Sequence, residues 1–587
     1  MRVVLSSLFI SASLVAADLS CKCLYGDDCW PSENEWSELA QTLASPDALI
    51  IDQRPPGAVC HPQDPLYSEE ACTTLVNSQD DPAYMSSLIN GLNYLNFDSL
   101  INSTTILDCP YQPESANATC HQGRVPPYAI NVTEVHEIQS ALAFATQHNL
   151  RVVVKNTGHE AIGRAFGVGA LEIYMNNFKN VTYHQGDFVP EGAPCDTEPE
   201  YAVTFGAGVS WNTAYLTADQ HNRTVVGGLS PNGTVGAAAG WALGTGHSFL
   251  SPFYGLGADN VLQFTVVLPN GTYITANKYL TPDLFWAMRG GGGPSFGIVT
   301  STTYRTHPNP SWTGAFWGAQ ANSTEAYINL LATWMKHHNN VSESGWAGNW
   351  PFTQQSLWLT MASQGTPNSQ AANDSLNAFF DEAATVPGVT VLVRDTRAYR
   401  SYYQYVFENL VDSSHVIGFN FTAVIPGHSQ SSTAAWLMPA NVTSPEFAQE
   451  MAQVMANTSV LAVPFMVAGG YVSTIDPSTS AACPAWRRAI TDMALISGGP
   501  SDEDIRPVYE AVHEDMLKFR NLAPPPLGGQ YLNEADILEE EWQLSFWGES
   551  YPRLLAIKKE IDPNDLLIVF KGVNSEDWDN EITCKTV

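Results

Sequence analysis

The stretch Val153-Val-Lys-Asn-Thr-Gly-His159 joins a short apolar strand pattern to a glycine-containing loop that ends in a histidine. Just before it, residues 133–149 repeat apolar side chains at helical spacing, which predicts an amphipathic helix. Further strand patterns follow at 170–174 and 202–205. Glycine has no Cβ atom, so the loop at 156–159 can bring its backbone close to a bound ligand. This order of elements predicts a mixed helix-and-strand region whose first loop contacts a ligand.

Glycine is concentrated in four segments of the first half of the chain. They are residues 156–169, 227–228, 236–246 and 290–293. The N–H groups of such loops can converge on an anion. Any one of these clusters is explained equally well by an ordinary tight turn. Four together favour a single extended ligand that touches several loops.

Familiar nucleotide-binding signatures are absent from the sequence. There is no phosphate-binding loop that ends in Gly-Lys-Ser or Gly-Lys-Thr, and no G-x-G-x-x-G between an N-terminal strand and a helix with an acidic residue beyond it. The segment Gly293-Pro-Ser-Phe-Gly297 matches the nucleophile elbow of α/β-hydrolases, but that motif should directly follow a buried strand. Here it follows Arg289 and a run of four glycines. A hydrolase is therefore disfavoured.

From about residue 312 the glycine clusters stop, and helical stretches alternate with strand-like ones. Three prolines within 522–529 interrupt this pattern before a final helix. The elements predicted after residue 205 are helices at 210–221, 282–289, 323–338, 373–384 and 551–560, and strands at 261–268, 389–394 and 460–472. Pro269-Asn-Gly-Thr272 is typical of a hairpin turn. We expect two globular regions followed by a C-terminal return.

The first 17 residues are typical of a secretory signal peptide. Met1 and Arg2 give a basic start, residues 3–15 are largely apolar, and the small residues Ala16 and Ala17 offer a cleavage site. A membrane anchor is the alternative, but the apolar run is too short to span a bilayer. We therefore expect cleavage after Ala17 and a secreted, extracellular protein that does not associate with membranes.

The chain has ten cysteines, and seven of them lie in about its first fifth. These seven are Cys21, Cys23, Cys29, Cys60, Cys72, Cys109 and Cys120. In an oxidising compartment they predict a disulfide-braced N-terminal region, with the connectivity left open. A structural zinc site is the alternative, and it is disfavoured because no C-x-x-C pair is present. No metal site is predicted.

The formal net charge is −33, from 26 basic and 59 acidic residues. Nucleic acids and anionic membrane surfaces are bound by clustered Lys and Arg, so the charge argues against both as partners. The chain is also rich in Asn-x-Ser/Thr sequons, which predict a glycoprotein. They include Asn102, Asn117, Asn131, Asn180, Asn322, Asn340, Asn373, Asn420, Asn441 and Asn457.

Eight motifs occur in a defined order along the chain. They are Val153-Val-Lys-Asn-Thr-Gly-His159, Phe205-Gly-Ala-Gly-Val-Ser-Trp211, Val225-Val-Gly-Gly228, Gly240-Trp-Ala-Leu-Gly-Thr-Gly-His-Ser248, Tyr254-Gly-Leu-Gly-Ala-Asp259, Arg289-Gly-Gly-Gly-Gly-Pro-Ser-Phe-Gly-Ile-Val299, Tyr531-Leu-Asn-Glu-Ala-Asp536 and Phe546-Trp-Gly-Glu-Ser-Tyr551. In this order the chain resembles the FAD-linked oxidases of the vanillyl-alcohol oxidase and p-cresol methylhydroxylase superfamily, most closely its berberine-bridge-enzyme-like branch. The resemblance covers roughly residues 123–306 and 531–573. It is weak across the middle region and absent before Cys109.

The resemblance implies an α+β fold of the vanillyl-alcohol-oxidase type. In that fold a two-part FAD-binding domain holds an inserted α+β substrate domain, and a C-terminal segment returns to the FAD domain. The expected boundaries are 1–17 for the signal peptide, 18–122 for a Cys-rich N-terminal extension, 123–310 for the FAD-binding domain, 311–525 for the substrate domain and 526–587 for the C-terminal segment.

The resemblance also implies that the loop at 156–158 cradles the FAD pyrophosphate and that His159 bonds covalently to the flavin 8α-methyl group. A neutral imidazole nitrogen is the nucleophile that such a bond requires. The other residues expected to bind FAD are Lys155, Asn156, Thr157, Gly158, Gly163, Gly228, Ser230, Gly236, Gly240, Gly246, His247, Ser248, Asp259, Ile298, Val299 and Asn533. Of these, Asp259, Ile298 and Val299 are expected near the adenosine or ribityl portion.

One position departs from the pattern of many relatives. Their Gly-Gly-x-Cys-Pro segment supplies a cysteine that forms a second link at flavin C6. This chain reads Gly227-Gly-Leu-Ser-Pro231, so Ser230 stands in place of the cysteine. A hydroxyl is a poor substitute for a thiolate. We therefore expect a single covalent link, through His159.

The C-terminal motif supplies the candidates for catalysis. Several relatives have Tyr-x-Asn-Tyr, in which the second tyrosine lies near the flavin and can act as a base. This chain reads Tyr531-Leu-Asn-Glu534, so Glu534 takes the position of the base, while Tyr531 and Asn533 are expected to line the isoalloxazine. A carboxylate can serve as base if desolvation raises its pKa. A solvent-exposed helix glutamate is the alternative interpretation.

The implied activity is that of an oxidase. Hydride passes from an alcohol, sugar or secondary-metabolite C–H bond to FAD, and dioxygen reoxidises the flavin and leaves as hydrogen peroxide. We expect a small-molecule substrate and a monomer. The alternatives are a flavin dehydrogenase or oxidative cyclase that reacts poorly with dioxygen, and a non-catalytic secreted binding protein on the same scaffold.

Overall fold

The computed structural model describes residues 21–102, 104–113, 117–230, 233–353, 355–365, 370–411, 430–499 and 503–586. The predicted signal peptide at 1–17 and the sequon at Asn420 lie outside these ranges. Within them, no helix has both the length and the apolar character needed to cross a membrane. Helices and three large sheets share the chain, so the predicted α+β class is confirmed.

The segment that carries His159 begins as a parallel strand-helix-strand arrangement. The strand Tyr128–Asn131 leads into the helix Val135–Gln147, and the chain returns in the strand Val152–Lys155. The strand Leu171–Tyr174 lies between these two strands and runs parallel to both. Loops that follow parallel strands emerge at one edge of their sheet. The glycine loop after Lys155 is therefore presented at that edge.

A five-stranded antiparallel sheet continues this half of the molecule. Its strands, in spatial order, are Tyr273–Asn277, Val261–Val267, Ile298–Arg305, Glu200–Gly206 and Val181–Phe188. The first two pair in antiparallel register, which confirms the predicted hairpin. The helices of this half are Trp211–Gln220, Gly240–Leu243, Ser251–Tyr254, Gly257–Asn260 and Pro282–Met288. The glycine clusters fall in or beside the loops that join these elements.

The middle region forms a large antiparallel sheet with helices on one face. Its strands are Trp346–Asn349, Phe465–Met466, Ala489–Gly499, Leu461–Ala462, Phe352–Thr353, Ser356–Gln364, Trp312–Ala321 and Val389–Tyr399, with Gln430–Pro439 paired to Ala489–Gly499. The helices on that face are Thr324–Glu343, Gln370–Ala383, Ala448–Ala456 and Arg506–Leu522, whereas the short helix Tyr402–Val406 packs in the cluster shared with the first half. Side chains of a strand alternate between the two faces. Trp436 and Met493 pack in the cluster formed with the helices, whereas Ala435 and Ala494 pack in the cluster shared with the first half.

The prediction of one strand over residues 460–472 is wrong in extent. The structure has two short strands, Leu461–Ala462 and Phe465–Met466, followed by a 3-10 turn at Gly470–Thr474. Pro464 lies between the two strands and has no N–H group to donate to a ladder. Gly469 then adopts a φ of +78°, which turns the chain away from the sheet.

The C-terminal segment packs back onto the first half. Its helices are Trp542–Trp547 and Tyr551–Ile561. The buried Lys558 ammonium donates to the carbonyl oxygen of Ser295 at 2.8 Å. In the opposite direction, the Arg164 guanidinium donates to the carbonyl oxygens of Phe570 and Lys571, both at 2.9 Å. These contacts bring the 531–534 motif close to the glycine loops.

The N-terminal extension is braced by disulfides, as predicted. Its internal bridges are Cys23–Cys29, Cys60–Cys72 and Cys109–Cys120. Its helices are Glu33–Ala40, Glu69–Ser78 and Pro82–Ser87, and its strands are Leu49–Ile50, Leu100–Ile101 and Ile106–Leu107. The seventh cysteine, Cys21, pairs instead with Cys584, 563 residues away. Cys195 is exposed and unpaired, and Cys483 is buried and unpaired.

Loss of the Cys21–Cys584 bridge is expected to destabilise the protein more than loss of Cys23–Cys29. The first bridge spans 563 residues and the second spans 6, and a bridge restricts the unfolded chain more when its loop is longer. The loop-length relation puts the difference at up to about 4 kcal/mol. Urea unfolding of the two double Cys→Ser variants measures it. Equal losses would contradict a role for the long loop.

Candidate active site

A cavity lies where the glycine loops of the first half meet the large sheet of the middle region. Its walls include residues within 156–165, 228–249, 293–299 and 531–534, and the sheet adds Thr433, Phe465, Ala494 and Ile496. The chain segments that resemble the flavin-binding motifs are therefore brought together around one space.

The loop after the strand Val152–Lys155 lines one end of this cavity. Among the described residues, none accepts a hydrogen bond from the backbone N–H groups of residues 157–161. Gly158 has a φ of +76°, and a Cβ atom there would lie 2.9 Å from the Lys155 side chain and 3.0 Å from the Gly91 carbonyl oxygen. A turn with consecutive free N–H groups attracts an anion such as a phosphate. The loop is therefore suited to a phosphate-bearing ligand, and only glycine fits at 158.

Asn156 connects this loop to the third glycine cluster. Its amide nitrogen donates to the carbonyl oxygen of Ala207, and its amide oxygen is buried without a partner in the described part of the chain. A Cβ atom at Gly236 would lie 2.7 Å from the Asn156 amide nitrogen, so the two segments touch. At Gly240, by contrast, an added Cβ would meet nothing within 4 Å. The unpartnered oxygen and the open space at Gly240 suit a ligand that lies between them.

His159 follows this loop and also lines the cavity. Burial lowers the pKa of its imidazole to about 4, against an opposing effect of the Glu534 charge. The ring is therefore neutral at neutral pH. Its Nδ1 atom lies 3.1 Å from the Asn93 amide nitrogen and 3.4 Å from the Thr234 hydroxyl. A neutral imidazole in a fixed orientation has the properties of a nucleophile for a covalent bond.

A second group of polar side chains, His247, Glu534 and Asp492, lies where the C-terminal motif meets the sheet. His247 Nε2 is 3.3 Å from Glu534 Oε1 and 4.0 Å from Asp492 Oδ2. The imidazole lies among aromatic rings, with centroids 4.8 Å from Tyr531 and 5.3 Å from Phe465. Burial alone would lower the pKa of His247, but the hydrogen bond and charge of Glu534 and the charge of Asp492 outweigh it and raise that pKa.

Asp492 is the most deeply placed member of this acid–base cluster. It is fully buried on the strand Ala489–Gly499, on the same face as Ala494, and neither carboxyl oxygen hydrogen-bonds to a described residue. Burial raises the pKa of Asp492 to about 8, with the His247 charge lowering it and the Glu534 charge raising it. His247, Asp492 and Glu534 offer ligand atoms within 4.8 Å of one another, a spacing that also suits a metal ion. Because burial raises the pKa of Asp492 and so favours its uncharged form, the cluster is less suited to a cation than three ionised ligands would be.

Tyr531 and Asn533 hold the C-terminal motif against the short helix Gly240–Leu243. The Asn533 amide nitrogen donates to the Tyr531 hydroxyl oxygen at 2.9 Å and to the Gly240 carbonyl oxygen at 3.3 Å. Burial raises the pKa of the Tyr531 hydroxyl well above its usual value. Tyr531 is therefore a neutral wall of the cavity, whereas Glu534 presents an acceptor to it.

Most of the predicted site residues line the cavity. They are Asn156, Thr157, Gly158, His159, Gly228, Gly236, Gly240, His247, Ser248, Ile298, Val299, Tyr531, Asn533 and Glu534. The two predicted groups, one around His159 and one around Glu534, thus share a single space, as the resemblance implies.

Five predicted residues do not line the cavity, and their contacts explain why. The Asp259 carboxylate forms a two-point ion pair with Arg487, at 2.7 and 2.8 Å. The Lys155 ammonium is buried and donates to the Leu88 carbonyl oxygen at 2.7 Å.

The other three contact neighbouring protein groups. Gly163 accepts a hydrogen bond from Arg124 through its carbonyl oxygen, at 2.8 Å. The Ser230 hydroxyl accepts from the N–H group of Val235 at 3.2 Å. Gly246 has a φ of +67° and packs against the Trp241 ring.

Three residues at the site, Asp492, Asn93 and Thr234, were not predicted from the sequence. Asp492 stands alone in a strand, with no motif around it to mark it. Its only signal in the sequence is that it is the single acidic residue of the largely apolar strand Ala489–Gly499. Asn93 belongs to the N-terminal extension, which lies outside the motifs that carry the resemblance in the sequence. Thr234 follows the segment in which the sequence departs from the family pattern.

Replacement of Asp492 by asparagine is expected to change how stability depends on pH. A carboxyl with a pKa of about 8 in the folded protein, and about 3.9 when unfolded, takes up a proton on folding between these pH values. The folded state then binds more protons, so its contribution to stability is present at low pH and is lost as the pH rises towards 8. The slope reaches at most about 1.4 kcal/mol per pH unit. Urea unfolding at pH 5 and pH 8 measures the change. Between these two pH values the free energy of unfolding should fall less for Asp492→Asn than for the native protein. An equal fall in the free energy of unfolding of the two proteins would contradict the uptake of a proton by Asp492 on folding.

Two family models match the regions that build the cavity. A model described as FAD binding domain matches residues 126–277, and one described as berberine and berberine like matches residues 530–573. The first contains the loop at 156–159, and the second contains the motif at 531–534. The fold and this cavity define an FAD-binding oxidoreductase.

Full-length relatives narrow this class to a family. An uncharacterized FAD-linked oxidoreductase of Arthroderma benhamiae is 32% identical over 596 residues, with 96% of each chain covered. The VAO-type flavoprotein oxidase VAO615 of Thermothelomyces thermophilus is 32% identical over 578 residues, with 96% of this chain and 94% of the relative covered. The chain belongs to this family of FAD-linked oxidoreductases, which includes VAO-type flavoprotein oxidases.

Solved structures agree with this assignment. The VAO-type flavoproteins MtVAO615 and MtVAO713 of Myceliophthora thermophila C1 superpose with TM-scores of 0.80 and 0.83 at 29% and 26% identity, covering 95% and 96% of this chain and 98% and 100% of theirs. Glucooligosaccharide oxidase of Acremonium strictum shares the fold alone, at 18% identity and a TM-score of 0.61, over 79% of this chain and 92% of its own. The resemblance stated from the sequence is therefore confirmed. The free N–H groups at 157–161, the unpartnered Asn156 oxygen and the open space at Gly240 fit FAD.

Proposed function

We propose that this protein is an FAD oxidase in which His159 carries the flavin and Glu534 accepts the substrate proton. The observation that carries the proposal is the meeting of two sites in one cavity: a glycine loop with free N–H groups that ends in a neutral histidine, and an acid–base cluster of His247, Asp492 and Glu534. The bound FAD would supply the acceptor for a hydride.

A single covalent link is supported by the surroundings of Ser230. This side chain is buried, accepts a hydrogen bond from Val235 and does not line the cavity. The solved glucooligosaccharide oxidase is described as carrying a 6-S-cysteinyl, 8α-N1-histidyl FAD. In this chain the residue at the family's cysteine position has no thiol, so only the histidyl link is available.

The acid–base cluster gives the proton a path away from the substrate. Glu534 lines the cavity and is about 30% exposed, so it can reach a substrate hydroxyl or C–H centre. His247 accepts or donates at 3.3 Å from it, and Asp492 lies behind His247. A general base within hydrogen-bond reach of the reacting group contributes about 10²- to 10⁴-fold to the rate. Because burial raises the pKa of the Tyr531 hydroxyl well above its usual value, Tyr531 is not the base.

The sheet wall of the cavity favours a compact and largely apolar substrate. The middle region contributes Thr433, Phe465, Ala494 and Ile496, with one hydroxyl and no charge among them. An oligosaccharide would leave its many hydroxyl groups without partners against such a wall, at a cost for each buried group. We therefore propose a small alcohol or secondary metabolite with an apolar ring or chain, rather than a sugar polymer.

Secretion and a monomeric state complete the proposal. The four disulfides suit an oxidising compartment, and several predicted sequons, such as Asn180 and Asn441, are exposed. Dioxygen is the proposed electron acceptor, with hydrogen peroxide as its product.

Peroxide release under a substrate screen tests the proposal. The purified protein should be yellow, and air-saturated turnover of a small apolar alcohol should release one peroxide per substrate oxidised. A series that runs from aromatic alcohols to oligosaccharides tests the substrate class. Flavin bleaching without peroxide would identify a dehydrogenase instead. A colourless protein that binds no FAD would overturn the proposal.

A further inference from the structure

Residues 88–94 of the disulfide-braced extension lie directly against the loop that carries His159. The Asn93 N–H group donates to the Gly158 carbonyl oxygen at 3.1 Å. From the end of the strand that precedes the loop, the Lys155 ammonium donates to the Leu88 carbonyl oxygen at 2.7 Å. This segment precedes the residues matched by the FAD-binding family model, which begin at 126. The extension is therefore part of the wall behind the histidine.

The side chain of Asn93 contacts the imidazole itself. Asn93 is 4% exposed, and its amide nitrogen lies 3.1 Å from His159 Nδ1 and 3.3 Å from the Thr234 hydroxyl. Thr234 in turn lies 3.4 Å from the same ring nitrogen. The Asn93 amide oxygen is buried and has no partner in the described chain. One edge of the ring is thus enclosed by two polar side chains.

The other edge of the ring is free of such contacts. Within the described residues, His159 Nε2 makes no hydrogen bond, and the Tyr94 ring packs against the imidazole at a centroid distance of 6.1 Å. A hydrogen bond to one nitrogen of an imidazole fixes both the plane of the ring and the position of its proton. Asn93 and Thr234 therefore hold the ring in one orientation and one tautomer.

We propose that Asn93 is a positioning residue for the covalent attachment of FAD, acting through His159. In this step a C–N bond forms between Nε2, the ring nitrogen that Asn93 and Thr234 leave free, and the 8α carbon, while the Nε2–H bond and one C–H bond of the 8α-methyl group break. Two electrons pass to the flavin ring, and dioxygen removes them and takes up the two protons as hydrogen peroxide. The inference rests on the proposed histidyl link and extends it, because it makes the N-terminal extension part of the attachment site.

The test compares attachment in four proteins: the native chain, Asn93→Leu, Thr234→Val and Asn96→Ala. Leucine keeps the γ-branched shape of Asn93 and removes its hydrogen bonds. Asn96 is the matched control, because it is an equally buried asparagine of the same extension. It bonds Ser431 and Tyr509 and does not contact His159. After incubation with excess FAD, each protein is denatured in acid at intervals, and the flavin that stays with the chain is measured.

In Asn93→Leu we expect attachment to slow about tenfold, the effect of one lost hydrogen bond on a rate. Total bound FAD before denaturation should stay near the native amount. Thr234→Val should show a smaller delay, and Asn96→Ala none. The milder Thr234→Val still tests the inference if Asn93→Leu does not fold.

Each contrary result has a separate meaning. A native protein that releases all its flavin in acid overturns the histidyl link, and the inference with it. A native protein that keeps its flavin while Asn93→Leu and Thr234→Val attach it at the native rate overturns the inference alone. Equal slowing in Asn96→Ala also overturns it, because any loosening of the extension would then suffice.

Discussion

Glu534→Gln is expected to slow flavin reduction by about 10²- to 10⁴-fold while leaving the flavin content unchanged. Glutamine keeps the shape and the hydrogen-bonding reach of the side chain but cannot accept the substrate proton. His247, 3.3 Å away, would remain in place, so the loss reports on the proton transfer. Anaerobic stopped-flow mixing with substrate measures the rate of flavin bleaching directly.

Glu540→Gln is the matched control for this variant. Glu540 lies six residues further along the same segment, is exposed, and does not line the cavity. The flavin of the Glu540→Gln variant should be reduced by substrate at the native rate. Full activity in Glu534→Gln would remove the glutamate from the mechanism, whereas loss of bound flavin would assign it a structural role instead.

His159→Ala is expected to leave no flavin attached to the denatured chain. Within the proposal this imidazole is the sole covalent partner, since Ser230 replaces the cysteine and lies outside the cavity. The glycine loop and its N–H groups remain, so FAD should still bind reversibly and colour the native protein. Acid precipitation followed by absorbance of pellet and supernatant measures the change.

His247→Ala serves as the comparison, because it removes a second histidine of the same cavity without touching the proposed link. Its flavin should stay with the pellet. Colour retained in the His159→Ala pellet would show that another side chain forms the bond, and peptide mapping would identify it.

Local sequence patterns predicted the parts of the fold that local physics determines. The helix now seen at Val135–Gln147 follows from its apolar spacing, and the hairpin after Val267 follows from its Asn-Gly turn. The loop at 156–159 was predicted from its glycine, and Gly158 indeed has a positive φ and no room for a Cβ atom. These features depend on residues close together in the chain.

Features that depend on distant residues were not predictable in the same way. The partner of Asp259 is Arg487, 228 residues away, and nothing near Asp259 indicates that pairing. The pKa of Asp492 is raised because the folded chain buries this side chain. Burial of that kind depends on distant residues and cannot be read from the residues around Asp492. The family resemblance pointed to the loop at 156–159 and to Glu534, both of which line the cavity. It could not locate Asn93, whose segment lies outside the shared motifs.

The bridge between Cys21 and Cys584 turns nearly the whole polypeptide into a covalent ring. A protease that cuts the backbone once between these two cysteines leaves a single connected molecule, and no fragment can diffuse away. Such a nicked enzyme would run at full mass on a non-reducing gel and separate into pieces only after reduction. Because Asn93, His159 and Glu534 all lie inside the ring, a single nick in an exposed loop would leave them attached to one another.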